Sequence, residues 1–186
     1  MIVEIISVGT ELLLGNIVNT NAQYISRQLA HLGLDCFYQT VVGDNPDRIK
    51  SALDVAYTRC DMVILTGGLG PTRDDLTKEM LMDYFHKEVV LDDKAWDMMK
   101  QRLTRNGFTE FSDSQKKQAY VPKDSLIMYN HHGTAPGCIM NHGDKYCMLF
   151  PGPPKEMQPM FEEYAVPYLR KFSDKVFVSI NIKMYS

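Results

Sequence analysis

Met62-Val63-Ile64-Leu65-Thr66-Gly67-Gly68-Leu69-Gly70-Pro71-Thr72 is the stretch on which the fold turns. The unbroken apolar run from Met62 to Thr66 reads as a short strand buried on both faces, the pattern of a parallel sheet covered by helices. Gly67, Gly68 and Gly70 end that strand, and Leu76, Met80, Leu81 and Tyr84 follow at helical spacing. A strand that delivers glycines into a helix start lets backbone N–H groups approach an anion closely, and the helix dipole favours negative charge there. The spacing is neither the dinucleotide fingerprint nor the P-loop, since no Gly-Lys-Ser/Thr follows Gly70. On glycine usage alone the turn is also compatible with a tight connection that only packs.

Upstream, Ile2 to Val8 is a second buried run, ended by Gly9. Ala22, Ile25, Leu29 and Leu32 then keep helical spacing behind the capping candidates Asn19, Thr20 and Asn21, with Gly33 as the stop. Cys36 to Val42 reads as a strand. Asn45 and Pro46 suit the cap and first position of a helix whose buried stripe is Ile49, Ala52, Leu53 and Ala56. The order is βαβαβ-turn-α, which argues for a parallel sheet with helices on both faces. Ligands of such sheets collect at the strand C-termini. Gly9-Thr10-Glu11, Gly43-Asp44 and the glycine turn are therefore expected to share one rim.

Downstream, Trp96, Met99 and Leu103 mark a helix ended by Asn106-Gly107, with a shorter one around Ser114 to Ala119. Ile139-Met140 and Tyr146 to Phe150 flank Asn141-His142-Gly143-Asp144, read as a four-residue hairpin loop. Pro159 is expected to divide the helical pattern after Lys155 into a short turn and a later helix. Val176 to Tyr185 alternates at period two and reads as a strand needing a partner. These patterns predict one domain over 1–170, with 171–186 as a linker and the first strand of a following, truncated domain.

The chain has 186 residues, 45% hydrophobic and 23% charged, which suits a globular core rather than a disordered or fibrous chain. A net charge of −3 carries no footprint for nucleic acid. The N-terminal run contains Glu4 and lacks a basic leader, so it does not resemble an export signal. No run approaches the ~18 apolar residues of a membrane span. Cys36, Cys60, Cys138 and Cys147 are dispersed without a CxxC, as free thiols in a reducing compartment are. A cytoplasmic protein is expected.

Asp74 and Asp75 follow the glycine turn, where carboxylates suit a helix N-terminus. Beside an anion cradle they would repel the ligand unless a divalent cation intervened, and Mg²⁺ sites commonly combine carboxylates with phosphate oxygens. Asp44 and Glu11 join them from neighbouring strand ends, and Lys155 lies within reach of a phosphate. His131 and His132 lack metal-ligand spacing. No Ser/His/Asp set or nucleophile elbow is present, so covalent catalysis has no support.

Taken together, Ser7-Val8-Gly9-Thr10-Glu11-Leu12-Leu13-Leu14-Gly15, Asn19-Thr20-Asn21, Val42-Gly43-Asp44-Asn45 and Thr66 to Glu79 resemble the N-terminal domain of CinA-type competence-damage-inducible proteins. That family lies within the molybdopterin-binding MogA/MoaB-like superfamily. Gly133-Thr134-Ala135-Pro136-Gly137 and Pro151-Gly152-Pro153-Pro154-Lys155-Glu156-Met157 complete the resemblance. It implies a three-layer α/β/α sandwich with a mostly parallel sheet. It also implies hydrolysis of ADP-ribose to AMP and ribose 5-phosphate with Mg²⁺, Mn²⁺ or Co²⁺, and a homodimer. Carried onto this chain, it makes Asp75, Asp44 and Glu11 catalytic and Asp44, Asp74 and Asp75 metal-binding. Thr10, Asn19, Thr66, Gly67, Gly68, Gly70, Pro71, Thr72, Thr134, Gly152, Pro153 and Lys155 become phosphate or nucleotide contacts. Molybdopterin-binding relatives carry Arg where Asp74 stands, a departure that points toward the CinA type. The rival readings are a non-catalytic molybdopterin- or nucleotide-binding module and a purely structural domain.

Overall fold

The structure, a computed structural model, describes residues 1–70 and 76–173. Its first half alternates β1 (Ile2–Val8), α1 (Thr10–Leu13), α2 (Thr20–His31), β2 (Asp35–Val42), α3 (Pro46–Ala56), β3 (Met62–Thr66) and α4 (Thr77–Tyr84). There follow β4 (Val89–Leu91), α5 (Asp93–Arg105), α6 (Asp113–Lys117), β5 (Tyr120–Pro122), β6 (Leu126–Met128), β7 (Gly137–His142), β8 (Lys145–Phe150), α7 (Pro154–Met160) and α8 (Val166–Leu169). The main sheet runs β2-β1-β3-β8-β7-β6. β2, β1, β3 and β8 are parallel, and β7 is antiparallel to both its neighbours, so the sheet is mixed and mostly parallel.

Strand periodicity sorts side chains to two cores. Val3, Ile5, Met62, Ile64, Met148 and Phe150 meet Ala22, Ile25 and Leu29 of α2 and Met157 and Met160 of α7 on one face. Ile6, Val8, Val63, Leu65, Cys147 and Leu149 meet Ile49, Leu53 and Ala56 of α3 and Leu81 of α4 on the other. This is the expected α/β/α arrangement, with each fully buried aliphatic or aromatic side chain stabilising by ~1.5–3 kcal/mol. Glu4 is the charged exception in β1, 1% exposed. Its carboxylate accepts hydrogen bonds from Arg59 Nε and Nη2, both at 2.9 Å, and from Thr40 Oγ1 at 2.7 Å.

The foreseen caps form. Asn19 accepts from the Ala22 N–H, and Asn45 accepts from the Arg48 N–H with Pro46 opening α3. Two expectations are corrected. His142 pairs with Lys145, so the hairpin loop is the two-residue turn Gly143-Asp144 rather than four residues. Gly143, at φ 61, takes the first central position, where the tight primed turns need positive φ. Nor does Pro159 divide the last helix: α7 starts at Pro154 and runs through it, followed by a wide π turn over Phe161–Ala165 and then α8. Met157, Met160 and Phe161 are buried on that segment, and their burial at ~1.5–3 kcal/mol each outweighs the ~3 kcal/mol of an interior proline.

Three short strands are additions to the sequence reading: β4 and β5 form a separate antiparallel pair, and β6 edges the main sheet. Beside the separate pair, Ala95, Met99 and Leu103 of α5 form a small third core with Ala119. The strand expected over Val176–Tyr185 lies outside the described residues. No helix among the described residues is long and apolar enough to cross a membrane.

Candidate functional site

Because β2, β1, β3 and β8 run parallel with Val8 beside Val42, Ser7 beside Thr66 and Thr66 beside Phe150, their C-termini form one rim. The chain leaves β1 to one side for β2 and returns to the other side for β3, a topological switch point of the kind that opens a ligand crevice. Glu11, Asp44, Gly67-Gly68-Leu69-Gly70, Gln118, Thr134, Gly152, Pro153 and Glu156 line a cleft of about 450 Å³ there. A second lobe of about 290 Å³ shares Glu11, Gly152 and Pro153 and extends along Ile17, Val18, Asn19, Asn21 and Thr66.

The glycine turn fits only glycine where it leaves β3. Gly67 has φ 103, and a Cβ there would lie 2.2 Å from the Val8 carbonyl oxygen. Its N–H donates to Phe150 O at 3.0 Å, which ties the turn to the end of β8. A Cβ on Gly68 would meet Thr77 Oγ1 at 1.9 Å. Gln118 Nε2 donates to Leu69 O at 2.9 Å.

Asp44 Oδ2 accepts from the Thr10 N–H at 2.8 Å and from Thr10 Oγ1 at 2.9 Å. Thr10 therefore holds this carboxylate at the cleft edge and is not itself among the lining residues. Asn19 caps α2 and donates from Nδ2 to Ser7 Oγ at 2.9 Å. Asn21 Nδ2 donates to Gly152 O at 2.7 Å, while its buried Oδ1 has no partner among the described residues. Asn130 organises the loop that carries Thr134: Nδ2 donates to Ala135 O at 3.0 Å and Glu156 Oε2 at 2.8 Å. Its Oδ1 accepts from the N–H groups of His132 at 3.0 Å and Gly133 at 2.6 Å.

Glu11, Asp44, Gly67, Gly68, Gly70, Thr134, Gly152 and Pro153 thus converge on the cleft, and Asn19 and Thr66 on its second lobe. Lys155 is exposed in the first turn of α7, and His131 lies 3.8 Å from Glu163; neither lines the cleft. Pro71, Thr72, Asp74 and Asp75 lie outside the described residues. Gln118 and Glu156 are lining residues that sequence reasoning did not single out. Glu156 stood within a quoted motif read as helix initiation; Gln118 is 49 positions from its partner Leu69 and carried no local signal. Cys138 and Cys147 lie inside the core, where burial pushes both thiols up, Cys138 to about 12, so neither offers a thiolate at neutral pH.

The cleft sets the carboxylates of Glu11, Asp44 and Glu156 beside the backbone of the glycine turn. Among the described residues no group of three His, Cys, Asp or Glu side chains is arranged to hold a metal ion. Asp44 and Glu11 are the cleft carboxylates that could offer oxygens to a divalent cation, whose shell commonly combines one or two carboxylates with phosphate oxygens and water.

The family model described as "probable molybdopterin binding domain" matches residues 4–171. A competence-damage inducible protein of Caldicellulosiruptor saccharolyticus is 54% identical over 183 residues, 98% of this chain and 44% of that protein. A CinA-like protein of Dictyoglomus turgidum is 53% identical over 176 residues, 95% of this chain and 43% of its own. The chain thus spans less than half the length of these curated relatives. The crystal structure of CinA from Thermoplasma acidophilum superposes with a TM-score of 0.79 at 34% identity, over 89% of this chain and 99% of that one. MoaB from Thermus thermophilus, at TM-score 0.59 and 19% identity over 91% and 96% of the two chains, shares the fold. With its sheet order, its glycine turn and this extent of similarity, the chain belongs to the MogA/MoaB-like molybdopterin-binding-domain family, in its CinA (competence-damage-inducible) branch.

Proposed function

We propose that this chain hydrolyses the pyrophosphate of a nucleotide sugar of the ADP-ribose class, giving AMP and ribose 5-phosphate, with a divalent cation as cofactor. The observation that carries the reading is the meeting, in one cleft at the switch point, of the Gly67–Gly70 turn with Asp44 and Glu11. An anion site lined by carboxylates asks for a cation between the two. With the Gly67 N–H held by Phe150 O, the backbone N–H groups of Gly68 to Gly70 hold a phosphate, Asp44 with Asp75 and Asp74 hold the cation, and Glu11 orients water or the ribose. The cation, when bound, neutralises charge developing on phosphoryl oxygens and lowers the pKa of water, so no protein nucleophile is required.

The test is incubation with ADP-ribose and Mg²⁺, Mn²⁺ or Co²⁺, with AMP as the readout and Asp75→Ala and Asp44→Asn as controls. AMP formed equally fast by both variants would refute the site assignment. The molybdopterin-binding family description favours a second reading, a module that binds a phosphorylated pterin or nucleotide without turnover. Tight molybdopterin binding with no AMP formed under any of the three metals would select it.

A further inference from the structure

Lys78 stands in an unfavourable place for an ammonium. It occupies the first turn of α4, where the helix dipole opposes positive charge, and it is 6% exposed. Burial pushes its pKa down to about 8, and the nearby Glu79 carboxylate pulls it partly back up. Its Nζ donates to the carbonyls of Lys117 at 3.1 Å and Gln118 at 2.7 Å. These carbonyls end α6, a five-residue helix, and the last C=O groups of any helix lack partners within it. A cation at that end agrees with the dipole of α6.

Gln118, whose carbonyl Lys78 holds, is 4% exposed and is the same residue that donates from Nε2 to Leu69 O. The peptide joining Leu69 to Gly70 is planar and trans, so its N–H points opposite its carbonyl. Holding the Leu69 carbonyl therefore sets the direction of the Gly70 N–H, a donor of the anion cradle proposed above. The contacts close a circuit: the turn leads into α4, Lys78 of α4 fastens the end of α6, and Gln118 at that end fastens the turn.

We propose that Lys78 is a positioning residue for the anion cradle, acting through Gln118 on the Leu69–Gly70 peptide. The affinity arm of its test rests on the ADP-ribose reading above; the spectroscopic arm does not. In the first arm, ADP-ribose binding in Mg²⁺ is measured calorimetrically on the full chain and on Lys78→Met, Gln118→Ala, the double variant and Lys123→Met. Lys78→Met and Gln118→Ala are each expected to weaken binding about tenfold, as loss of one oriented hydrogen bond does. The double variant is expected to be no weaker than Gln118→Ala alone, and Lys123→Met, which changes an exposed lysine, to bind like the wild type. A folded Lys78→Met with a lowered unfolding midpoint and wild-type affinity would overturn the proposal and leave Lys78 a support of the fold alone. Should Lys78→Met not fold, Lys78→Gln, too short to reach both carbonyls, is read in the same way.

In the second arm, the Gly70 amide resonance is followed in the absence of ligand. It is expected to move in Lys78→Met and Gln118→Ala and to stay in place in Lys123→Met; an unmoved Gly70 resonance in Lys78→Met overturns the proposal. A wild type that does not bind ADP-ribose refutes the substrate reading, and the positioning role is then decided by this arm.

Discussion

Replacing Gly67 with alanine is expected to destabilise the protein by about 2–4 kcal/mol, more than the same change at Gly143 or Gly152. An alanine at φ 103 adopts a backbone conformation that costs an L-residue ~1–3 kcal/mol by itself. Its methyl would also stand 2.2 Å from the Val8 carbonyl oxygen and 3.2 Å from the carbonyl carbon. No side-chain rotation relieves that contact, because both partners are backbone. The turn would have to move off β1, and the bond from the Gly67 N–H to Phe150 O at 3.0 Å would stretch, for roughly another 1 kcal/mol. Gly143→Ala and Gly152→Ala calibrate the estimate. Gly143 has φ 61 with nothing within 4 Å of the added Cβ, so its alanine meets only the conformational cost of ~1–2 kcal/mol. At Gly152 the nearest atom is Gly67 Cα at 3.6 Å, an ordinary contact, so stability should hold while a methyl enters the cleft and weakens ligand binding. Urea unfolding followed by circular dichroism gives the three midpoints at constant m. A Gly67→Ala loss no larger than that of Gly143→Ala would refute the close approach of the turn to β1.

Arg59→Ala leaves the carboxylate of Glu4 in the sheet without its ion-pair partner and should lower the thermal midpoint well beyond Lys123→Ala, which opens the exposed Lys123–Glu88 pair; equal midpoints would refute the pairing. Asn130→Ala removes four hydrogen bonds around the Thr134 loop, with an expected loss of about 2–4 kcal/mol in urea unfolding and faster proteolysis at His131–Thr134. The depressed pKa of Lys78, about 8 against 10.5, means that the unfolded chain holds the proton between those values while the folded chain does not. Raising the pH through that window therefore favours the folded wild type over Lys78→Met by up to about 3 kcal/mol. The thiol of Cys147, raised by burial, acts oppositely in both proteins; Cys138, raised by burial but drawn down by Lys78, is removed from the comparison by making it in a Cys138→Ala background. Denaturant unfolding on either side of the window measures the difference, and a pH-independent value would show that the ammonium is not desolvated. Chelation of divalent ions is expected to abolish AMP formation while leaving the unfolding midpoint in place, and AMP formation that survives chelation would refute the metal requirement.

Local chemistry made most of the alternating core legible. The runs Ile2–Val8 and Met62–Thr66 are long and apolar enough to announce buried strands, and Asn19 and Asn45 announce helix starts because their side chains accept from backbone N–H groups three residues on. β4, β5 and β6 left no such trace, since three residues each complete too little of a period-two pattern to stand out. Pro159 misled because its local penalty is visible in sequence, whereas the burial of Met157, Met160 and Phe161 that offsets it depends on α2 and the sheet.

The glycine turn, with its strand before and helix after, was set by sequence alone, as was the shared rim with Asp44 and Glu11, because parallel βαβ order leaves the strand ends nowhere else to go. What only the tertiary structure decided is which distant groups complete that rim. Gln118 reaches Leu69 from 49 positions away, Asn130 brings Thr134 toward Glu156, and Lys78 is buried against the end of α6. Each depends on a long-range contact between elements that are unremarkable in isolation, and hydrogen bonds of that kind have no periodicity for a sequence to display.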